Sequence, residues 1–197
     1  MMPLLALVVA YVVGGIPFGY LLVRLKSGQD VRSMGSGNIG ATNVLRTSGR
    51  WVAVATLILD IAKGFFAVWF AARLTGDSVT WMSLAALAVM AGHAYPVFLK
   101  FHGGKAVASF IGAFLYLTPI PLLATLVVFV IVVAATRHIS MGSIIAAASL
   151  PLGTWLILHP PAPIILTSLI AAAFIVSRHR ANIQRIRAGQ EHVFRFK

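Results

Sequence analysis

The sequence predicts an all-α integral membrane protein whose chain crosses the bilayer seven times. Hydrophobic residues make up 59% of the 197 residues and charged residues only 10%, and the mean hydropathy is +0.93. Several apolar stretches approach or exceed the roughly 20 residues that a helix needs to span a bilayer. Short polar segments separate these stretches. We therefore expect a single integral membrane domain over residues 1–197.

Seven membrane helices are expected in order along the chain. Their approximate bounds are 3–25, 51–74, 80–99, 106–117, a fifth helix that ends near 136, 144–158 and 164–176. The first run has no basic residue before it and no small-residue cleavage site, so we interpret it as a retained helix and not as a signal peptide. The fourth helix is short, since about 17 residues are needed to cross straight. Helical spacing over 178–187, with Gly189 as a C-cap, predicts one more helix in the tail.

Basic residues are distributed unevenly along the chain. Sixteen Lys and Arg stand against four Asp and Glu, which gives a formal net charge of +12. In a membrane protein such an excess sets topology and binds phosphates or anionic headgroups, so no nucleic-acid partner is expected. All basic residues except Lys63 and Arg73 fall in the first, third and fifth loops or the tail. The positive-inside rule therefore predicts an outside N-terminus, a cytoplasmic C-terminus and one cytoplasm-facing site.

A polar, glycine-spaced loop follows the first span at residues 35–43. Three glycines in six residues allow positive φ and a close approach to a ligand. Hydroxyl and amide groups are offered by Ser36, Asn38, Thr42 and Asn43. Arg46 follows the loop closely. This composition favours binding of an anion, while the alternative interpretation is a flexible connector.

A second glycine motif, Gly103-Gly104-Lys105, stands at the start of the short fourth helix. Free backbone N–H groups, the positive end of the helix dipole and a lysine then point at one spot, as in a phosphate-binding site. It is not a P-loop, which would need glycine at Leu99 and a hydroxyl at Ala106. The alternative interpretation is a simple helix entry whose lysine extends to the membrane surface.

Two opposite charges, Asp60 and Lys63, lie near the middle of the second span. An unpaired charge there would cost at least about 2.5 kcal/mol, so both side chains must face protein or water. Their i,i+3 spacing places them on one helix face. They are either a mutually neutralising pair or a substrate-facing lysine that Asp60 orients.

The scarcity of carboxylates and thiols excludes several reaction classes. The four carboxylates are scattered and cysteine is absent, which argues against metal-dependent phosphotransfer, a thiolate nucleophile and a thiolate metal site. No histidine has an aspartate four or five residues on. His93 and His179 are candidate proton carriers, or they form only local hydrogen bonds. A site with phosphate binders and without nucleophile or metal suits a substrate that arrives activated, such as an acyl phosphate.

Four blocks resemble the bacterial acyl-phosphate:glycerol-3-phosphate acyltransferase family of the PlsY type. They are residues 35–46, 60–64, 92–105 and 178–191, in the family's order and spacing. The resemblance implies a seven-helix inner-membrane enzyme that makes lysophosphatidic acid, the first acylated intermediate of phospholipid synthesis. It implies no cofactor and no metal.

The resemblance also implies which residues surround the phosphates of donor and acceptor. The catalytic residues would be Ser36, Asn38, Lys105, His179 and Asn182, and the phosphate-binding residues would be Arg46, Lys63, Gly103, Gly104 and Ser143. Two positions depart from the family pattern: Ala106 replaces a glycine, and Ser109 replaces the usual threonine. Alanine does not easily take a positive φ, so the sequence leaves the loop geometry at Ala106 open, and alanine also suits a first helical turn.

Two other functions are compatible with the same features. A transporter of an organic phosphate would suit broken helices and an intramembrane ion pair. A regulatory protein that binds lipid headgroups would use the basic loops without turnover. The expected reaction uses acyl phosphate and glycerol 3-phosphate; acyl-chain preference and oligomeric state do not follow from the sequence.

Overall fold

The computed structural model describes residues 1–194, and within them every regular element is a helix. The chain divides into two compact units, one over Met1–Leu117 and one from Thr118 onward. Six α-helices form the first unit: α1 Met2–Gly14, α2 Phe18–Ser27, α3 Ala41–Ser48, α4 Arg50–Thr75, α5 Val79–Ala94 and α6 Val107–Leu117. Four form the second: α7 Pro119–Thr136, α8 Ile139–Leu158, α9 Ala162–Arg178 and α10 Arg180–Arg187.

Five segments within residues 1–194 are long and apolar enough to cross a membrane. They are Met2–Ser27, Arg50–Thr75, Val79–Leu99, Pro119–Thr136 and Ile139–Leu158. The pair α9 and α10, bent by 56°, qualifies as a sixth if it is counted as one span. α6, with 11 residues, is shorter, as its sequence predicted.

The first span is broken in its middle, between Gly14 and Phe18. Pro17 has no N–H to donate, which interrupts the helical hydrogen bonds. Gly14 permits close packing at the same place, because a Cβ there would overlap the Val89 backbone of α5. The first span is therefore both interrupted and closely packed at the same place.

Small residues bring the helices of the first unit together. A Cβ on Gly64 of α4 would overlap the carbonyl of Ser109, and one on Gly112 of α6 would overlap the carbonyl of Ile61. The backbones of α4 and α6 are therefore in contact, which is how membrane helices gain packing energy without a hydrophobic driving force. This contact fixes the position at which the short helix α6 begins.

α3 was expected to be loop and is a helix. Val44 is fully buried against Val23, Val31 and Ile39. Eight residues are too few to show a clear period in the sequence, and packing of this kind stabilises short helices more than propensity does. The helix carries Arg46 on its last turn.

In the second unit, α7 ends at its predicted position, and α9 and α10 start and end within two residues of theirs. α8 begins five residues earlier than expected, because the polar segment 139–143 is helical. Gly189 takes a φ of +67° just past α10, where its N–H donates to the Ile186 carbonyl. A left-handed glycine after the last helical residue is the stop signal that the sequence predicted.

Candidate active site

Asn43 organises the glycine-spaced loop of the first unit. Its Oδ1 accepts the Ser36 N–H at 2.8 Å. Its Nδ2 donates to three backbone carbonyls, those of Val31, Met34 and Asn38, at 3.3, 3.0 and 2.9 Å. Asn43 itself is 2% exposed. The loop thus has a defined hydrogen-bonded conformation, which argues against a flexible connector.

Ser36 and Asn38 occupy different environments in this loop. Ser36 is exposed and follows Gly35, whose φ is +57°. Asn38 is half-buried, and its Oδ1 accepts the N–H of Gly40, the residue that precedes α3, at 2.8 Å. Asn38 therefore shapes the entry into the helix that carries Arg46, and only its amide nitrogen remains as a side-chain donor toward a ligand.

A charged pair flanks the start of the loop. Arg32 donates to both carboxylate oxygens of Asp30, with Nη2 2.6 Å from Oδ2. The side-chain hydrogen bond from Arg32 holds the pKa of Asp30 below its usual range, against a smaller opposing effect of burial. Arg32 is therefore neutralised locally by Asp30.

The loop with Gly103, Gly104 and Lys105 leads directly into α6. Gly103 donates to the carbonyl of Ala94 and Gly104 donates to that of His93, each at 3.1 Å. Lys105 is half-buried. Ala106 is fully buried with a φ of +63°, and its carbonyl accepts the N–H of Phe110 as the first helical bond. Ala106 thus adopts the left-handed conformation that suits glycine and lies just before the first turn of α6, which answers the question that the sequence left open.

Asp60 and Lys63 form a buried ion pair in α4. Lys63 Nζ lies 2.7 Å from Asp60 Oδ1 and donates to the carbonyl of Ile16 at 2.9 Å. Ile16 belongs to the break in the first span, where helical hydrogen bonding is interrupted. The lysine therefore neutralises Asp60 and satisfies the broken helix; its role toward a phosphate stays a prediction.

Ser143 and His179 lie on α8 and just after α9 in the second unit, and both are buried. Ser143 Oγ donates to the Ile139 carbonyl at 2.9 Å, one turn earlier. His179 Nδ1 lies 2.8 Å from the carbonyl of Ile175. Because a carbonyl can only accept, Nδ1 carries a proton in this contact.

Glu191 anchors Asn182 in the second unit. Its Oε1 accepts from Asn182 Nδ2 at 2.7 Å and from Ser140 Oγ at 2.9 Å, and its Oε2 accepts from Arg185 Nε at 2.8 Å. Burial raises the pKa of Glu191, but the hydrogen bonds from Asn182, Arg185 and Ser140 together outweigh it, so the pKa lies below its usual range. Glu191 is therefore an ionised acceptor that joins the start of α8 to α10.

Comparison with known proteins gives one consistent family. A family model described as glycerol-3-phosphate acyltransferase matches residues 4–189. The chain belongs to the glycerol-3-phosphate acyltransferase family. A relative of that name from Geobacter sulfurreducens is 48% identical over 187 residues, which cover 95% of each chain. Another, from Geotalea daltonii, is 45% identical over 94% of each chain.

Two solved structures share the fold of this acyltransferase. Both are crystal structures of PlsY (YgiH), an integral membrane glycerol 3-phosphate acyltransferase. One is the glycerol 3-phosphate form, with a TM-score of 0.93 and 36% identity, covering 99% of this chain and 96% of that one. The other is the lysophosphatidic acid form, with a TM-score of 0.90 and 34% identity over the same shares. The PlsY-type resemblance drawn from the motifs is confirmed, and the chain is a multi-pass membrane acyltransferase.

Two residues hold candidate segments in place in a way that the sequence did not predict. Asn43 was expected to offer its amide to a ligand, but the amide instead bonds the loop's own backbone, since a glycine-rich loop leaves many carbonyls that an amide can bond. Glu191 was noted only as one of four carboxylates. A lone acid within a strongly basic tail was the available signal, since such an acid usually has basic partners.

Proposed function

We propose that this chain transfers a fatty acyl group from acyl phosphate to a hydroxyl of glycerol 3-phosphate. The hydroxyl oxygen forms an ester bond with the acyl carbonyl carbon. The bond between that carbon and the phosphate oxygen breaks, and the products are lysophosphatidic acid and inorganic phosphate. The departing phosphate takes the hydroxyl proton. Such a donor brings its own leaving group, so the protein has only to orient the reactants and stabilise charge.

The observation that carries the proposal is the loop that precedes α6 in a chain of this family. Lys105 lies just ahead of the N-terminus of α6, where the helix dipole favours an anion. The N–H groups of Gly103 and Gly104, which the sequence predicted to be free, instead donate to carbonyls of α5. Within residues 1–194 no group of three or more His, Cys, Asp or Glu side chains could hold a metal ion. The lysine and the helix N-terminus at this loop therefore support phosphate recognition that does not need a bound metal.

In the first unit we assign phosphate binding to side chains at both loops. Lys105 and Arg46 supply charge, and Ser36 and Asn38 supply neutral donors that can meet phosphate oxygens. Gly103 and Gly104 have no side chain, which lets the loop that carries Lys105 approach α5 closely. Lys63 holds the broken first span through its hydrogen bond to the Ile16 carbonyl. Its positive charge also adds to the electrostatic potential around the substrate.

In the second unit we assign roles to His179, Asn182 and Ser143. The Nδ1 bond of His179 to the Ile175 carbonyl fixes the orientation of the ring, and we assign the imidazole to orienting the attacking hydroxyl. Asn182 is held by Glu191, which leaves its Oδ1 to accept from the same substrate. The Ser143 hydroxyl donates a hydrogen bond to the Ile139 carbonyl, so its oxygen would accept a hydrogen bond from the substrate.

We further propose the topology that the basic residues predict. Seven membrane helices, with α6 as the short one, would place the N-terminus outside and the C-terminus in the cytoplasm. The site would then face the cytoplasm from a bacterial inner membrane, where glycerol 3-phosphate is dissolved and acyl phosphate partitions from the lipid.

A donor-exchange assay tests this function. Purified protein in lipid vesicles receives glycerol 3-phosphate with palmitoyl phosphate, palmitoyl-CoA or palmitoyl-acyl carrier protein. We expect lysophosphatidic acid from acyl phosphate alone, undiminished by excess EDTA or thiol reagents. A preference for a thioester donor or a need for Mg²⁺ would overturn the proposal. Counterflow of glycerol 3-phosphate without acylation would instead identify a transporter, and headgroup binding without turnover a regulatory protein.

A further inference from the structure

A buried histidine lies directly beneath the Gly103–Lys105 loop and has no part in the reaction described above. His93, in the last turn of α5, is 4% exposed. Its Nδ1 lies 3.1 Å from Ser109 Oγ of α6 and 3.7 Å from Asp60 Oδ1 of α4. The imidazole therefore bonds to a polar atom of α6 and lies near one of α4, two of the helices that pack beside α5.

The loop rests on His93 through both of its glycines. Gly104 donates its N–H to the His93 carbonyl. A Cβ on Gly104 would overlap the imidazole, and a Cβ on Gly103 would overlap the His93 carbonyl. Neither glycine has a positive φ. Glycine is therefore needed here for the close approach to α5 rather than for an unusual backbone conformation.

The contact also satisfies the end of α5. The last carbonyls of a helix have no partner within it. The N–H groups of Gly103 and Gly104 reach the carbonyls of Ala94 and His93. The hydrogen bond with Ser109 holds the imidazole in one orientation, so the ring gives the loop above it a fixed support. Lys105 is the next residue along.

We propose that His93 is a positioning residue for Lys105. It acts through Gly104, because the imidazole ring and the backbone carbonyl of His93 set the path of the backbone from which the Lys105 side chain extends. Ser109 is the partner that holds the ring. This rests on the proposed function, in which Lys105 binds a substrate phosphate. His93 is then not the proton carrier that its chemistry alone suggested.

The first test separates binding from turnover. His93→Ala removes the support, and we expect the KM for glycerol 3-phosphate and the Ki of inorganic phosphate to rise together about tenfold, as for loss of a buried hydrogen-bonded contact. In His93→Asn a side-chain amide atom lies close to the position of Nδ1, so it keeps the bond to Ser109 and should recover most of the loss. Ser83→Ala removes a different buried polar side chain from the same helix, α5, and is the matched control. It should leave both constants unchanged.

The second test uses the steric contact and does not require His93→Ala to fold. Gly104→Ala places a methyl group against the imidazole, with Nε2 as the nearest atom and Cδ2 next. Asparagine has no counterpart of Nε2, so the worst overlap is removed and His93→Asn/Gly104→Ala should be at least tenfold more active than Gly104→Ala alone. Equal loss in the two backgrounds would overturn the proposal, as would His93→Ala with unchanged KM and Ki. Wild-type activity of Lys105→Ala would instead refute the proposed function.

Discussion

Removing the charge of Lys63 should destabilise the protein far more than removing the whole ion pair. Lys63→Met leaves Asp60 uncompensated among buried atoms of α4, with His93 Nδ1 3.7 Å away. Breaking one side of a buried ion pair costs about 3–5 kcal/mol. It also leaves the Ile16 carbonyl without this donor, which costs about 1–3 kcal/mol.

The double variant Asp60→Asn/Lys63→Met removes the unpaired charge and keeps only the second cost. We therefore expect Lys63→Met to lower the free energy of unfolding by about 4–8 kcal/mol and the double variant by about 1–3 kcal/mol. Unfolding in mixed micelles with increasing denaturing detergent measures both. If the single variant is no less stable than the double, the ion pair does not govern stability and this reasoning is refuted.

The same variants separate the two interpretations of Lys63. A purely structural lysine predicts that the double variant regains turnover together with stability. A lysine whose charge also acts on the substrate predicts that stability returns and turnover does not. Acylation rates at saturating glycerol 3-phosphate decide between them.

Three further predictions concern other parts of the chain. Folding favours the ionised form of Glu191. Its contribution to the free energy of unfolding is therefore complete above its ordinary pKa of 4.5 and is lost as the pH falls through the lower pKa of the folded state. Glu191→Gln should abolish this loss of stability in acid. Ala106→Val should lower stability by at least about 1–2 kcal/mol through its left-handed backbone, whereas Ala106→Gly should be nearly neutral in thermal unfolding. Single cysteines at Ser48 and Ser140 should be labelled from the cytoplasm and one at Ser78 from outside; labelling of Ser48 and Ser78 from one side would contradict the topology.

The positions of the long helices could be predicted because length and hydrophobicity decide them. Arg50–Thr75 and Pro119–Thr136 end within a few residues of the predicted bounds, at the polar residues that border the apolar runs. α3 could not be predicted, since the burial of Val44 depends on residues far along the chain. The early start of α8 was missed because Ser140 and Ser143 look like loop residues, although both hydroxyls are bonded within the fold.

Candidate site residues could be named from the sequence, but their arrangement could not. Glycine spacing marked both loops, yet nothing in the sequence shows that Gly104 fits against His93. The i,i+3 spacing predicted the pair of Asp60 and Lys63, but not that Lys63 also reaches Ile16. Ala106 illustrates the limit of local preference, because packing around a buried residue imposes a conformation that its side chain disfavours.

The most direct measurement of the central claim is the acylation rate of Lys105→Ala with acyl phosphate in excess EDTA. If Lys105 meets a phosphate away from bulk water, its loss should cost about 2–4 kcal/mol of transition-state stabilisation, roughly thirty- to a thousandfold in kcat/KM. Lys100→Asn is the matched control, since Lys100 is an exposed lysine in the same segment and asparagine tolerates its positive φ. We predict a control rate within about twofold of the unmodified protein. A Lys105→Ala rate equal to that of the control, or a wild-type reaction that stops in EDTA, would contradict the account.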